Sequence, residues 1–102
     1  MSDIMGKYLR KNRNLVEDAD RFETMDDQNI LRAGMVAELE TVNLYMGFAA
    51  KTKNPKIRKV ILDIAYEEKV HIQEFEDLLF EIDSDYTNAA DQAEKEHKEL
   101  TA

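Results

Sequence analysis

The amino-acid sequence predicts an all-α protein built around a helical hairpin. The chain has 102 residues, 35% of them charged, with only three Gly and one Pro, and no segment shows the strict alternation typical of a strand. Two long segments instead place apolar residues at alternating steps of three and four, the spacing of a packed helix face. Asn54-Pro55 lies between them and is a helix-start signal, so the chain is expected to reverse there.

Three helices follow from these signals. The first is expected to run to about Lys51 with Asp26 or Asp27 as its cap, and the second to run from Pro55 to about Asp83. A third, rich in Lys, Glu and Gln, is expected from about Asn88 to Leu100 as a surface or docking helix. The predicted organisation is a polar amino-terminal segment (1–26), a helical hairpin (27–83) and a carboxyl-terminal helix and tail (84–102).

Both helical stripes contain polar residues where apolar ones are expected. The first stripe consists of Leu31, Met35, Glu38, Val42, Tyr45 and Ala49. The second consists of Ile57, Ile61, Ile64, Glu68, His71, Phe75, Leu78 and Ile82. A carboxylate on a packing face costs several kcal/mol unless a cation or donor compensates it. A bound metal is the simplest common partner, and a buried salt-bridged network without metal is the alternative.

The hairpin brings these polar residues to one height. Glu38 lies before Asn54 in the sequence, and Glu68 and His71 lie after it. Counted in residues from Asn54, Glu38 is slightly farther away than Glu68 and slightly nearer than His71. Glu68 and His71 also share one face of their helix, with Cβ atoms roughly 5–6 Å apart. One layer of the hairpin is therefore expected to be polar.

Composition excludes several classes of function. The net charge is −8, from 22 acidic and 14 basic residues, which disfavours nucleic-acid binding; the basic cluster Lys7, Arg10, Lys11 and Arg13 is better explained as a solvated stretch. The absence of Cys excludes thiolate metal sites within the chain. No apolar run approaches the ~20 residues of a membrane span and no signal peptide is evident, so a soluble, cytoplasmic protein without a membrane partner is expected.

Two helices cannot enclose a core alone, so association is expected. Apolar residues flanking the stripes should lie open to water, among them Leu39, Met46, Ile72 and Leu79. Two hairpins paired about a two-fold axis would form a four-helix bundle by homodimerisation, with four Glu and two His in one layer. That set matches the dimetal site of ferritin-like bundles, and four carboxylates balance two divalent cations.

The motifs Ala37-Glu38-Leu39-Glu40 with Tyr45, and Glu67-Glu68-Lys69-Val70-His71 thirty residues further on, resemble those of the encapsulated ferritins. These short ferritin-like proteins, related to rubrerythrins, are cargo of encapsulin compartments. The resemblance covers about residues 30–83 and, more loosely, the third helix. It implies a ferroxidase that oxidises Fe(II) with dioxygen at a di-iron centre, two Fe per dimer, in a ring of five dimers. It also implies an encapsulin shell as partner and as the place of iron storage.

The resemblance also implies residue roles. Glu38 corresponds to the ligand on the first helix, and Glu68 and His71 correspond to the ligand pair on the second. Tyr45 corresponds to a tyrosine near the centre, although core filling explains it equally well. Glu40 corresponds to a carboxylate that attracts iron on the outer side. The family's second outer carboxylate and its aromatic gate are replaced here by Ala37 and Leu44.

Two other functions remain open from sequence. One is a rubrerythrin-like peroxidase that takes electrons from an external donor, and the other is a non-catalytic helical scaffold. Manganese or zinc could replace iron, because carboxylate and imidazole ligands serve all three. Glu94-x-x-His97 repeats the ligand motif in the last helix but is expected to be a solvated face, as are Glu67 and Glu74.

Overall fold

A computed structural model describes residues 25–102, which form three helices and no strand. The helices are α1 (Asp27–Lys51), α2 (Pro55–Ile82) and α3 (Ser84–Thr101). Contacts at both ends show that α1 and α2 are antiparallel: Gln28 Nε2 donates to Ile82 O at 3.0 Å, and Arg58 Nε donates to Ala49 O at 3.1 Å. The all-α prediction is confirmed.

Capping side chains determine where the hairpin helices begin. The Asp26 carboxylate accepts a hydrogen bond from Asn29 N at 2.8 Å at the start of α1. Asn54 Oδ1 accepts from Lys56 N and Ile57 N at 2.9 and 3.2 Å, with Pro55 in the first position of α2. Each cap satisfies backbone N–H groups that have no partner inside the helix. The predicted starts of α1 and α2 are confirmed.

Arg58 secures the turn between α1 and α2. Its guanidinium donates to Ala49 O and to Thr52 O, two carbonyls at the end of α1. These carbonyls lack partners within the helix, and a cation near them also complements the negative end of the helix dipole. Arg58 therefore holds the start of α2 against the end of α1.

The start of α3 differs from the prediction. The helix begins at Ser84, four residues before the expected Asn88, because Asp83 ends α2 and also caps α3 by accepting from Tyr86 N at 3.1 Å. Tyr86 then donates its hydroxyl hydrogen to Glu76 Oε2 at 2.9 Å, and Thr87 Oγ1 donates to Phe80 O at 3.0 Å. α3 is thus attached through its first turn. From residue 91 onward it is exposed, as expected of a surface helix.

The core of the hairpin is small, and one end of it packs differently from the prediction. Among residues 25–102, only Ala49, Ala65 and Leu79 are buried. Leu79, expected to be open to water, is fully buried, and Ile72 is half-buried, whereas Leu78 and Ile82 of the predicted stripe are 49% and 45% exposed. Packing against the neighbouring helices therefore covers the Leu79 side of α2 rather than the Leu78 side. Leu39 and Met46 are exposed, as predicted.

Gly34 allows a close helix–helix contact within the hairpin. A Cβ at this position would lie 2.9 Å from Cζ of Phe75, below the distance that carbon atoms tolerate. Gly34 precedes Glu38 by four residues, and Phe75 follows His71 by four. The Phe75 ring therefore packs against α1 one helical turn away from the polar layer.

No helix within residues 25–102 combines the length and the apolar character needed to cross a bilayer. The division into segments 1–26, 27–83 and 84–102 stays a prediction. Most of the first segment, including the basic cluster at residues 7–13, lies outside the described residues.

Candidate metal centre

Three residues predicted as metal ligands converge in the hairpin. Glu38 of α1 and Glu68 and His71 of α2 each place one ligand atom within 4.8 Å of the others. No other group of three acidic, His or Cys side chains converges in this way in the part of the chain that the structure describes. The turn capped by Asn54 aligns these residues, because Glu38 lies nearly as many residues before Asn54 as Glu68 and His71 lie after it.

The His71 ring faces both carboxylates through the same nitrogen. Nδ1 lies 3.7 Å from Glu38 Oε2 and 3.5 Å from Glu68 Oε2. Both separations exceed the usual length of a hydrogen bond. The two carboxylates are mostly shielded, with side chains 23% and 19% exposed, whereas the imidazole is 45% exposed. The cluster thus has a closed side between the helices and an open side at His71.

Glu38 carries the observation that points most directly to a cation. Its Oε2 atom is buried and has no hydrogen-bond partner. A buried acceptor left without a donor costs about 1–3 kcal/mol, and such atoms are rare in native proteins. A positive ion among Glu38, Glu68 and His71 would supply the missing interaction.

The donor set fits a divalent transition metal. Carboxylate oxygens and an imidazole nitrogen together suit iron, manganese and zinc. One chain supplies three ligand residues, and the open side at His71 leaves room for ligands from elsewhere. The residues present therefore fit half of a carboxylate-bridged dimetal site, which bundles of this kind complete with a second Glu and a second Glu-x-x-His.

The other predicted site residues lie outside this group of three. Tyr45 is half-buried, and its ring packs edge-on against Phe48, with centroids 6.1 Å apart and an interplanar angle of 80°. That contact fits the core-filling alternative. Glu40, two residues after Glu38, points about 200° around α1 from it. Its role as an outer carboxylate stays a prediction.

The repeated motif in α3 is solvated, as expected. Glu94 is ion-paired with Lys98 at 3.1 Å, with both side chains largely exposed, and His97 is also exposed. Glu67 and Glu74 are exposed on α2. The contact between Phe75 and Gly34 beside the cluster was not predicted from the sequence. A glycine in a helix interior, level with an aromatic residue on the facing helix, is the signal that could have indicated it.

Comparison with known proteins finds relatives with encapsulin in their names. The chain is 40% identical over 72 residues to a ferritin-like–encapsulin shell fusion protein of Pyrococcus furiosus, a match covering 71% of this chain and 21% of the relative. It is 37% identical over 60 residues to the encapsulin nanocompartment cargo protein EncB of Myxococcus xanthus, covering 59% of this chain and 38% of the relative. The chain therefore spans well under half of either relative. No solved structure gives a significant match.

The family profile covers most of the structure described above. The profile of the rubrerythrin family matches residues 29–102, which include all of α2 and α3 and nearly all of α1. The three converging residues lie within that match. With its ferritin-like all-α fold, the chain belongs to the rubrerythrin family.

Proposed function

We propose that this protein is a ferroxidase whose site is completed by two copies of the chain. Glu38, Glu68 and His71 of each copy would together provide four carboxylates and two imidazoles for two iron ions. Ferrous iron is the substrate: each ion gives up one electron, and dioxygen is the electron acceptor. The observation that carries the proposal is the convergence of these three side chains around a buried Glu38 oxygen that has no hydrogen-bond donor.

The chain's own residues have distinct tasks in this reaction. Glu38 and Glu68 are the shielded members, so they would hold iron between the helices and balance its charge. His71 lies at the open side, and the His71 of each copy would provide one imidazole nitrogen to one of the two ions. Tyr45, seven residues after Glu38, is proposed to hydrogen-bond a ligand or supply an electron. Glu40 is proposed to attract ferrous iron on the outer side of α1.

The biological setting is also a proposal. Both relatives carry encapsulin in their names, one as a shell fusion and the other as a cargo protein. We propose that this protein is likewise encapsulin cargo, that it forms a ring of five dimers, and that it supplies oxidised iron for storage inside the shell. The compartment would then lie in the cytoplasm. Manganese or zinc would bind the same residues but would not supply the redox chemistry of iron.

Membership of the rubrerythrin family supports a second candidate, a di-iron peroxidase. The same ligands would serve, with peroxide as the substrate that is reduced. Because the chain contains no Cys, it lacks a thiolate iron centre, and electrons would have to come from an external donor. Rapid peroxide turnover with an added reductant, and slow ferrous oxidation in air, would favour this candidate.

The test is an anaerobic ferrous titration followed by exposure to air, read by absorbance. Glu38→Ala, Glu68→Ala and His71→Ala should each abolish most oxidation. Each residue occurs once in both copies of the two-fold site, so every substitution removes two ligands. Glu94→Ala and His97→Ala serve as controls, since they alter the same motif on α3, and should retain oxidation. Glu40→Ala should change the rate of iron uptake without emptying the site. Circular dichroism checks that each variant remains helical.

Retention of near-normal oxidation by all three ligand variants would contradict the proposal. Metal analysis separates the remaining alternative, because a non-catalytic scaffold would bind no stoichiometric iron, manganese or zinc in either the wild type or the variants.

A further inference from the structure

The turn between α1 and α2 is a basic region in an acidic protein. From residue 41 to residue 62 there are five basic residues and no acidic one, although the whole chain has a net charge of −8. Arg58 is bonded to carbonyl groups of α1, and Lys59 lies in the second turn of α2. The other three are here named the basic turn: Lys51, Lys53 and Lys56.

The basic turn has no counter-charge within the described residues. Its three lysines are exposed, and the ion pairs within residues 25–102 involve none of them. Lys98 on α3 shows the contrast, because it pairs with Glu94 at 3.1 Å. Like charges that lie close together repel each other, so carboxylates supplied by a partner would relieve an unfavourable interaction at the turn.

An apolar hollow lies beside the basic turn, between the end of α1 and the start of α2. Its volume is about 290 Å³, and it is lined by Phe48, Lys51, Thr52, Ile57 and Ile61. Ile57 is 49% exposed. Lys53 and Lys56 belong to the four residues that connect Thr52 to Ile57, and so connect the two sides of the hollow. The hollow therefore has mostly hydrocarbon walls and a basic border.

Contacts within the chain already hold the walls in place. The Phe48 ring packs edge-on against Tyr45, with centroids 6.1 Å apart. Arg58 of α2 donates to the carbonyls of Ala49 and Thr52, which connects the two sides of the hollow across the turn. Because these groups are ordered before anything binds, an occupant would cost little further ordering of the protein.

We infer that the apolar hollow and the basic turn together bind an acidic segment of another protein. One apolar side chain of that segment enters the hollow, and carboxylates on either side of it contact the lysines. Charge complementarity identifies this occupant, since complementary charges favour encounter and fix the register of a bound chain. The inference goes beyond the proposed function: Ile61, the lining residue of α2 nearest to Glu68, lies about 10 Å from it along the helix axis.

Other polyanions fit this surface less well. A nucleic acid would match the charge, but a base in the hollow would leave its polar groups against hydrocarbon without hydrogen bonds. Anionic bilayers attract clusters of about four to eight basic residues, accompanied by apolar side chains that enter the lipid. Here three lysines border a concave site between two helices, which suits a single inserted side chain.

A short synthetic peptide is the probe, with the sequence Asp-Glu-Leu-Glu-Asp and blocked ends. Titrated into protein with labelled Ile methyl groups, it should shift the NMR signals of Ile57 and Ile61. The signals of Ile30 and Ile82, at the opposite end of the hairpin, should stay in place. A peptide with Ala for Leu should bind at least about tenfold more weakly, because it loses most of the buried hydrocarbon. Added salt should weaken both complexes.

Charge reversal tests the contribution of the basic turn. Lys53→Glu with Lys56→Glu should weaken binding of the Leu peptide at least about tenfold, since attraction becomes repulsion. A carboxylate near the start of α2 is also favourable to the helix, so the fold should persist. The matched control is Lys95→Glu with Lys98→Glu, which changes the net charge equally on the exposed α3 and should bind the peptide nearly as the wild type does.

A second pair of variants tests the hollow itself. Ile57→Gln replaces hydrocarbon in the wall and should weaken the Leu peptide about tenfold while changing the Ala peptide little. Val60→Gln is its control, because Val60 is 60% exposed on the same helix and does not line the hollow. Circular dichroism checks that all four variants are helical.

The results that would overturn the inference are specific. They are equal affinities for the Leu and Ala peptides, shifts confined to residues outside the hollow, or no binding at all. Tighter binding to oligothymidylate, or to vesicles of phosphatidylcholine and phosphatidylserine in equal parts, would assign the surface to a different partner and overturn it too. The same holds if Ile57 and Ile61 shift with protein concentration alone, because a second copy would then occupy the hollow.

Ferrous oxidation by the same variants separates this inference from the proposed function. None of the substituted residues belongs to the candidate metal centre, so oxidation should equal that of the wild type. Failure of peptide binding with intact oxidation would leave the ferroxidase proposal standing. Specific peptide binding by a protein that does not oxidise ferrous iron would overturn the ferroxidase alone.

Discussion

The ring of Phe75 lies directly over Gly34, so that a Cβ on residue 34 would be 2.9 Å from Cζ and 3.0 Å from Cε1. Because Gly34 is one turn before Glu38 and Phe75 one turn after His71, this contact lies next to the candidate metal centre on both helices. The helix spacing at the centre therefore depends on a residue without a side chain.

We predict opposite effects for two glycine substitutions in α1. Alanine is favoured over glycine in a helix by about 1 kcal/mol, and a Cβ on Gly47 would meet nothing within 4 Å, so Gly47→Ala should raise the free energy of unfolding by about 0.5–1 kcal/mol. Gly34→Ala should instead lower it by about 1 kcal/mol, because overpacking against Phe75 outweighs the same gain. Urea unfolding measures both.

Adding Phe75→Leu to Gly34→Ala should recover part of the loss, since it removes the ring atoms that the new Cβ meets. If Gly34→Ala stabilises the protein as much as Gly47→Ala does, the close packing described here is wrong.

A second prediction concerns the cost of the polar layer without metal. Glu38→Leu removes a buried carboxylate oxygen that has no hydrogen-bond partner, so it should raise the metal-free free energy of unfolding by about 1–3 kcal/mol. It should also abolish the stabilisation that zinc gives the wild type, because binding to the folded state alone is what stabilises it. Thermal unfolding with chelator and with zinc measures both effects.

Glu67→Leu is the matched control, since Glu67 is an exposed carboxylate immediately before the ligand Glu68. It should keep the zinc response and change metal-free stability little. If the Glu38→Leu variant is less stable than the wild type in chelator, other groups of the protein already stabilise the Glu38 carboxylate without metal.

The third prediction is a pH dependence at the joint between α2 and α3. Burial raises the pKa of Tyr86 above its ordinary value of 10.0, and the hydrogen bond to Glu76 and the charge of that carboxylate raise it further. The folded protein thus retains the phenol proton at a pH where the unfolded chain has lost it. This contribution to stability is complete below pH 10.0 and is lost as the pH rises through the folded-state pKa.

Tyr86→Phe should remove this loss above pH 10.0 and lower stability at neutral pH by about 1 kcal/mol, the usual worth of one hydrogen bond. Tyr66→Phe is the control because Tyr66 is 63% exposed. Unfolding free energies of the three proteins across the alkaline range provide the comparison. Equal alkaline slopes for Tyr86→Phe and the wild type would contradict the assignment.

Local sequence determined the starts of α1 and α2 and the convergence of the three proposed ligands. Asp26 and Asn54-Pro55 begin the helices through bonds to neighbouring backbone groups, so no distant residue is needed to predict them. Once the turn is placed, equal spacing along two helices makes Glu38 level with Glu68 and His71, because every residue adds the same rise. The positions of these three residues relative to the turn were therefore sufficient to predict that they converge.

Tertiary structure decided what depends on rotation and on contacts between helices. Leu78 and Leu79 are adjacent apolar residues about 100° apart on α2, and only the position of the neighbouring helices determines that Leu79 is the buried one. The early start of α3 likewise depends on Tyr86 and Thr87 finding partners on α2. The packing of Phe75 over Gly34 joins residues that are far apart in the sequence. These three features depend on how two helices are placed relative to each other. A periodic pattern along one helix does not predict that placement.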